Sequence, residues 1–72
     1  MRNAPDLRTK TAATNIRRAR ETRNYTQEYL AAQLNISQNA YSKIELGYTK
    51  ITIDRLFHIA VILETDPIGI IL

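Results

Sequence analysis

The side chains that could do chemistry on a substrate are one histidine, His58, seven carboxylates and ten lysines or arginines. The chain has no cysteine, which excludes disulfides, thiolate metal sites and cysteine nucleophiles. A single histidine cannot supply a histidine-rich metal site, and no nucleophile lies at a plausible spacing from it. Glycine-rich phosphate loops are also missing. Capping or surface positions account for the carboxylates of Glu28, Glu45, Asp54 and Glu64. We therefore predict no enzymatic activity, no cofactor and no small-molecule ligand.

The cations are distributed unevenly along the 72 residues. Residues 1–23 carry a net charge of +5 and residues 24–72 a net charge of −2. The basic side chains of the first part are Arg2, Arg8, Lys10, Arg17, Arg18, Arg20 and Arg23. A basic half favours a polyanion such as nucleic acid as partner, although a solvated helix face with a loose basic tail explains the charge equally well.

No segment of the sequence is apolar enough to span a membrane. The longest unbroken apolar run is Ile59–Leu63, far short of the ~20 residues that a spanning helix needs. The N-terminus lacks the apolar core of a signal peptide. Together with the absence of cysteine, this predicts a cytoplasmic protein without a membrane partner.

The chain is predicted as one domain of short helices preceded by an arm. Residues 1–10 have little to bury and are predicted as a flexible basic arm, with the domain over residues 11–72. Residues that typically begin or end helices recur along the domain. The beginnings are Thr26, Ser37, Thr52 and the pair Asp66–Pro67; the ends are Asn24, Asn35, Gly47 and about Glu64. The prediction is an all-α compact bundle of about four to five short helices.

The segment Gln27–Leu46, QEYLAAQLNISQNAYSKIEL, is the most informative one. It predicts two short helices joined by about three to four residues, which must cross steeply to pack on each other. That crossing needs a small residue between the helices, a residue that accepts positive φ at the turn and an apolar plug at the corner. Ala31, Asn35 and Ile36 meet these three needs in order. The apolar positions that would fill the space against the first and fourth helices are Leu30, Leu34, Tyr41 and Ile44.

At this point the sequence resembles a known family, the lambda-repressor-like, Xre-type helix-turn-helix domains of prokaryotic and phage transcriptional regulators. The segments that carry the resemblance are IRRARE, YTQEYLAAQLNIS, YSKIELG and TIDRLFHIAVIL, which together cover about Ile16 to Ile68. The resemblance implies that the third helix lies in the major groove of duplex DNA with its N-terminal half facing the base edges.

The resemblance also implies which side chains contact DNA. The expected base contacts are Gln38, Asn39, Ser42 and Lys43. Glutamine and asparagine can pair bidentately with adenine, and lysine can donate to guanine. The expected phosphate contacts are Thr26 and Gln27 at the start of the second helix, Tyr48, Thr49 and Lys50 after the third, and Arg17 or Arg18 on the first. The basic arm is either a further DNA contact or a disordered segment with weak non-specific contact.

Family members often pair an arginine of the first helix with a glutamate late in the third, which here implies an ion pair between Arg20 and Glu45. Three residues depart from the family pattern. Asn35 replaces a commoner glycine, and Leu46 stands where a polar residue is common. Tyr41 replaces a branched aliphatic residue, and we expect its hydroxyl to reach the surface, near a phosphate.

The fourth helix is apolar nearly all round. Its expected inner residues are Ile53, Leu56, Ile59, Ala60 and Leu63. A helix with further apolar faces should be covered on more than one side, and a small monomer rarely leaves a contiguous apolar patch in water. We therefore expect a two-fold homodimer with Phe57, Val61, Ile68, Ile70, Ile71 and Leu72 at its interface, although Val61 and the tail could instead close a single core.

The predicted function is a sequence-specific duplex-DNA-binding transcriptional regulator, a homodimer on a pseudo-palindromic operator. One alternative is an antitoxin-type interaction module, whose apolar surface binds a toxin and whose DNA binding is secondary. Another is a helical adaptor that keeps the fold without reading bases. Equal affinity for all duplexes would favour the adaptor, and selection of a palindromic consensus would favour the regulator.

Overall fold

The computed structural model describes residues 7–72, and within that range every regular element is a helix. The elements are α1 (Leu7–Thr22), α2 (Gln27–Leu34), α3 (Gln38–Glu45), α4 (Ile53–Leu63) and α5 (Pro67–Ile71). The predicted all-α class, with five short helices, is confirmed. The packing of α1 against α5 brings the first and last elements of the chain together.

Helix α1 begins at Leu7, four residues before the predicted start of the domain at residue 11. Residues 7–10 of the predicted arm are therefore helical, and residues 1–6 lie outside the described residues. The first turn of α1 lies beside Ile51 and Ile71, which line one small cavity with Thr9 and Ala12. Contacts with such distant residues explain why the local sequence, polar around Arg8 and Lys10, did not predict this turn.

Side chains cap the following helices, as predicted. The hydroxyl oxygens of Thr26, Ser37 and Thr52 accept hydrogen bonds from backbone amides three residues later at 3.0, 3.0 and 3.1 Å. Asp66 caps α5, with Pro67 at its first position. Each cap satisfies an amide that the helix itself leaves free, which fixes where the helix begins.

Positive-φ, left-handed backbone conformations follow four of the helices. Asn24 and Asn35 have φ values of 60° and 59°, which confirms the prediction from their tolerance of this region. Gly47 follows α3 with φ of 80°. Glu64 closes α4 with φ of 51°, an unfavourable conformation for a residue with a β-carbon that is neither Asn nor Asp.

The core joins all five helices. Its largest fully buried side chains are Tyr41, Ile16, Leu30, Ile59, Leu63 and Ile70. Four predicted inner residues of α4 are buried, which confirms that part of the prediction: Leu56, Ile59, Ala60 and Leu63. The core therefore lies where the sequence pattern predicted it, with the two exceptions that follow.

The prediction that Ile53 is buried is wrong, since it is 73% exposed. It shares one outward line of α4 with Phe57 and Val61, at spacings of four residues. The placement of Ile70 at an interface is also wrong. It is 2% exposed because α5 folds onto α1, where the Asn15 side-chain amide donates to the Ile70 carbonyl at 2.8 Å. Leu46, which from the sequence could either cover the edge of the core or face solvent, is 55% exposed.

Candidate nucleic-acid interface

The corner between α2 and α3 determines which face of α3 is outward. The Asn35 amide donates to the last carbonyls of α2, and the Ile36 amide donates to the Ala31 carbonyl at 3.0 Å. Ala31 is 3% exposed and Ile36 packs partly buried against the core. The left-handed residue thus turns the chain sharply, and the small and apolar residues beside it let α3 cross α2 closely.

The two faces of α3 differ in polarity and in bonding. Tyr41 and Ile44 are buried on the inward face. Gln38, Asn39 and Lys43 are exposed on the outward face, and their side chains make no hydrogen bond or ion pair with another described residue. Ser42 lies beside them, partly buried. The amide and ammonium donors of this face are therefore available to a ligand.

Four side chains from three helices meet at the end of α3, and we call them the Glu45 network: Arg20, Gln27, Tyr41 and Glu45. Arg20 binds the Glu45 carboxylate through two nitrogens, Nε at 2.6 Å and Nη2 at 3.1 Å. Its Nη1 donates to the Tyr25 carbonyl at 2.8 Å. The Gln27 Nε2 donates to the carboxylate at 3.0 Å, and the Tyr41 hydroxyl donates to it as well. The ion pair that the resemblance implied is present, and two further donors complete it.

The hydrogen bonds of this network determine its charge. Burial acts to raise the pKa of Glu45, but the hydrogen bonds from Arg20, Tyr41 and Gln27 oppose it and leave that pKa below its ordinary value. The hydrogen bond to Glu45 raises the pKa of Arg20, although burial opposes it. Burial, followed by the bond to Glu45, raises the pKa of Tyr41 well above its usual range. The network therefore holds a guanidinium, a carboxylate and a neutral hydroxyl at neutral pH.

A comparison with known families agrees with this geometry. A family profile described as helix-turn-helix, of the Xre and lambda-repressor-like type, matches residues 16–70. This chain belongs to that helix-turn-helix family. No curated protein and no solved structure matched the chain. The helix-turn-helix match supports a DNA-binding regulator, from a family that is not typically enzymatic. None of the helices within residues 7–72 combines the length and the hydropathy that a membrane-spanning segment needs.

The expected phosphate contacts of the helix-turn-helix lie in different settings. Tyr48, Thr49 and Lys50 are exposed immediately after α3, with Tyr48 at 68%. Thr26 is exposed, and its oxygen accepts the capping bond from the Tyr29 amide, which leaves the hydroxyl proton free to donate. Thr26 stands before α2, and the other three residues stand after α3 along the chain.

The remaining expected phosphate contacts are Gln27 on α2 and Arg17 and Arg18 on α1. One N–H of the Gln27 amide is engaged by Glu45, so a single N–H of that group remains for a phosphate. Arg17 lies about 60° around the α1 axis from Arg20, the residue that faces α3, whereas Arg18 lies about 160° from it. Arg18 lines a groove of about 690 Å³ with Glu64. Arg18 therefore lies on a different side of α1 from Arg20 and does not face α3.

The expectation that the Tyr41 hydroxyl reaches the surface is wrong. Tyr41 is 0% exposed, because its ring fills the core and its hydroxyl bonds to Glu45. The sequence contains a signal for this contact: residues four apart lie on one face of a helix, and a tyrosine can reach a carboxylate there. The role of Gln27 in the same network carries no such local signal, because it depends on how α2 crosses α3.

Proposed function

We propose that this protein is a sequence-specific transcriptional regulator that places α3 in the major groove of duplex DNA. The observation that supports the proposal is the contrast between the two faces of α3. Its outward side chains make no hydrogen bond or ion pair with another described residue, and its inward face is held in place by the Glu45 network. Gln38 and Asn39 can each present a bidentate pair to adenine, and Lys43 can donate to guanine. Each good pair would discriminate between bases by about 1–3 kcal/mol. Ser42 completes the proposed set of base contacts.

The proposed phosphate contacts lie before and after α3 along the chain. Thr26 and Gln27 begin α2, where free backbone amides favour an anion. Tyr48, Thr49 and Lys50 follow α3 and would meet the phosphates beyond it. Arg17 belongs to this set by its side of α1. These contacts would set affinity and its salt dependence, and the α3 side chains would set sequence preference.

We further propose that the protein acts as a two-fold homodimer. Ile53, Phe57 and Val61 form an apolar stripe on α4 and are 73%, 56% and 74% exposed. Ile68, Ile71 and Leu72 add exposed apolar area around α5, at 59%, 49% and 86%. Pairing two such surfaces would remove them from water, and it would present two reading helices about 34 Å apart, as a pseudo-palindromic operator requires.

Selection of bound duplexes from a random pool tests DNA reading. We expect a palindromic consensus, and we expect Asn39→Ala to relax preference at one position of each half-site. Gln33→Ala is the matched control, since Gln33 is an exposed amide on α2 and is not among the proposed DNA contacts. A selected pool without sequence preference would contradict base reading and would favour the adaptor alternative.

Sedimentation over a wide concentration range tests the dimer. Val61→Glu places a charge in the apolar stripe and is expected to shift the protein toward monomer, whereas Gln33→Glu adds the same charge on α2 and should not. A wild-type protein with monomer mass at every concentration would refute the homodimer. The exposed apolar surface would then favour the alternative of a different protein partner, as in an antitoxin.

A further inference from the structure

A second groove runs beside α3 and continues from its outward face. It has a volume of about 430 Å³ and lies between α3 and the segment that leads into α4. Its lining includes Asn39 and Lys43 of α3, Lys50 of the connecting segment and Arg55 of α4. Within the part of the chain that the structure describes, its lining holds three cations and no carboxylate. We call it the cationic groove.

Arg55 differs from Arg20 and Arg23, two other arginines near helix ends, because its guanidinium has no acidic partner within the described residues. Arg20 is bound by Glu45, and Arg23 lies 3.7 Å from the Glu64 carboxylate. The Arg55 side chain is partly buried, yet it makes no hydrogen bond or ion pair with any residue in 7–72. Its backbone is held in place, because the Arg55 amide donates to Thr52 at 3.1 Å. A guanidinium that loses water without gaining an acceptor is costly unless an anion from outside supplies one.

We propose that the cationic groove binds a backbone phosphate of the duplex and that Arg55 is a DNA contact. This rests on the proposed function, because the groove meets the backbone only when α3 enters the major groove. A phosphodiester presents two oxygens that match the planar fork of a guanidinium. Lys50 adds a second charge, and Lys43 lies at the border between base edges and backbone.

The salt dependence of duplex binding tests this assignment. Each phosphate contact contributes about 0.9 to the slope of log affinity against log salt. Arg55→Gln should lower the magnitude of that slope by about 0.9, so its affinity loss between about 50 and 200 mM salt should be about 3.5-fold smaller than for the wild type. Sequence preference should not change. Arg55→Lys should restore most of the slope, since it restores the charge.

Arg23→Gln is the matched control. It removes the same charge from a helix end, but Arg23 lies in the other groove, beside Glu64. Its slope should stay close to that of the wild type. Circular dichroism should show that Arg55→Gln is at least as stable as the wild type, because the Arg55 side chain has no internal partner to lose.

Duplexes with one methylphosphonate locate the contact. Neutralising the phosphate that Arg55 binds should lower the affinity of the wild type for the duplex and leave the affinity of Arg55→Gln unchanged. A methylphosphonate at any other contacted phosphate should lower the affinity of both proteins alike. Inorganic phosphate should compete only as added ionic strength; competition beyond that would assign the groove to a free phosphate and overturn the DNA contact. Equal slopes for Arg55→Gln and Arg23→Gln, with a wild type that selects a consensus, would overturn this inference alone. A wild type that binds no duplex would overturn it and the proposed function together.

Discussion

Arg20→Met is expected to destabilise the protein strongly, because it leaves the buried carboxylate of Glu45 without its cation. The side chains of Arg20 and Glu45 are 12% and 2% exposed. Removing one partner of a buried ion pair typically costs about 3–5 kcal/mol. Domains have about 0.05–0.15 kcal/mol of stability per residue, which gives this chain roughly 4–11 kcal/mol. The loss would therefore be a large fraction of the whole.

A double-mutant cycle measures the interaction between the two side chains. Glu45→Gln removes the charge and keeps the shape, so the combined variant leaves no buried charge unpaired. We expect the double variant to be more stable than the sum of the single losses predicts, with a coupling energy of about 2–4 kcal/mol. Arg23 and Glu64 provide the control cycle. They lie 3.7 Å apart at 36% and 71% exposure, and exposed pairs contribute about 0–1 kcal/mol.

Urea unfolding followed by far-ultraviolet circular dichroism at pH 7 gives the four free energies of each cycle. Losses for Arg20→Met and Glu45→Gln that add within about 0.5 kcal/mol would refute the coupling. A second outcome supports it directly: Arg20→Met unfolded in the absence of urea, and the double variant folded. Equal coupling in both cycles would also refute the reasoning, because burial is what distinguishes the two pairs.

Three further changes follow from the same structure. Because the pKa of Glu45 is lowered, the folded state binds fewer protons than the unfolded state in mild acid. The stabilisation by the Glu45 carboxylate is complete above the unfolded glutamate pKa of about 4.3 and is lost as the pH falls through the folded pKa. Glu45→Gln should therefore make the urea midpoint depend less on pH over that window. Tyr41→Phe should lower the free energy of unfolding by about 1.5–3 kcal/mol, since it removes a hydrogen bond to a buried charge. Glu64→Gly should raise it by about 0.5–1 kcal/mol, because glycine accepts φ of 51° without strain.

The parts of the fold that the sequence predicted are those determined by local chemistry. Ser37 begins α3 because its hydroxyl caps an amide three residues on, and Asn35 ends α2 because its side chain tolerates positive φ. Both effects operate within one helical turn, so they can be read from neighbouring residues. The outward residues of α3 follow from the same local pattern once its buried face is known.

The errors concern residues whose environment depends on distant elements. Ile53 has the spacing of an inner residue, but nothing in the local pattern shows that the core ends before the first turn of α4. Ile70 is buried because α5 returns to α1, which brings it within hydrogen-bond distance of Asn15, 55 positions away. Arg55 was assigned no role from the sequence, because only the fold brings it beside Lys43 and Lys50.

The Glu45 network suggests why a small protein places a charge in its interior. Replacing a buried ion pair by apolar side chains is often neutral or stabilising, so net stability alone does not account for it. Apolar contacts constrain the rotation of a short helix weakly, whereas a carboxylate on α3 that is bound from α1 and from α2 has one favourable orientation. Rotating α3 by one residue, about 100°, would break the bonds to Arg20 and Gln27 at once, whereas the Tyr41 bond lies within α3 and would turn with it. We therefore interpret the network as the element that fixes which side chains of α3 face outward, and base reading depends on that orientation.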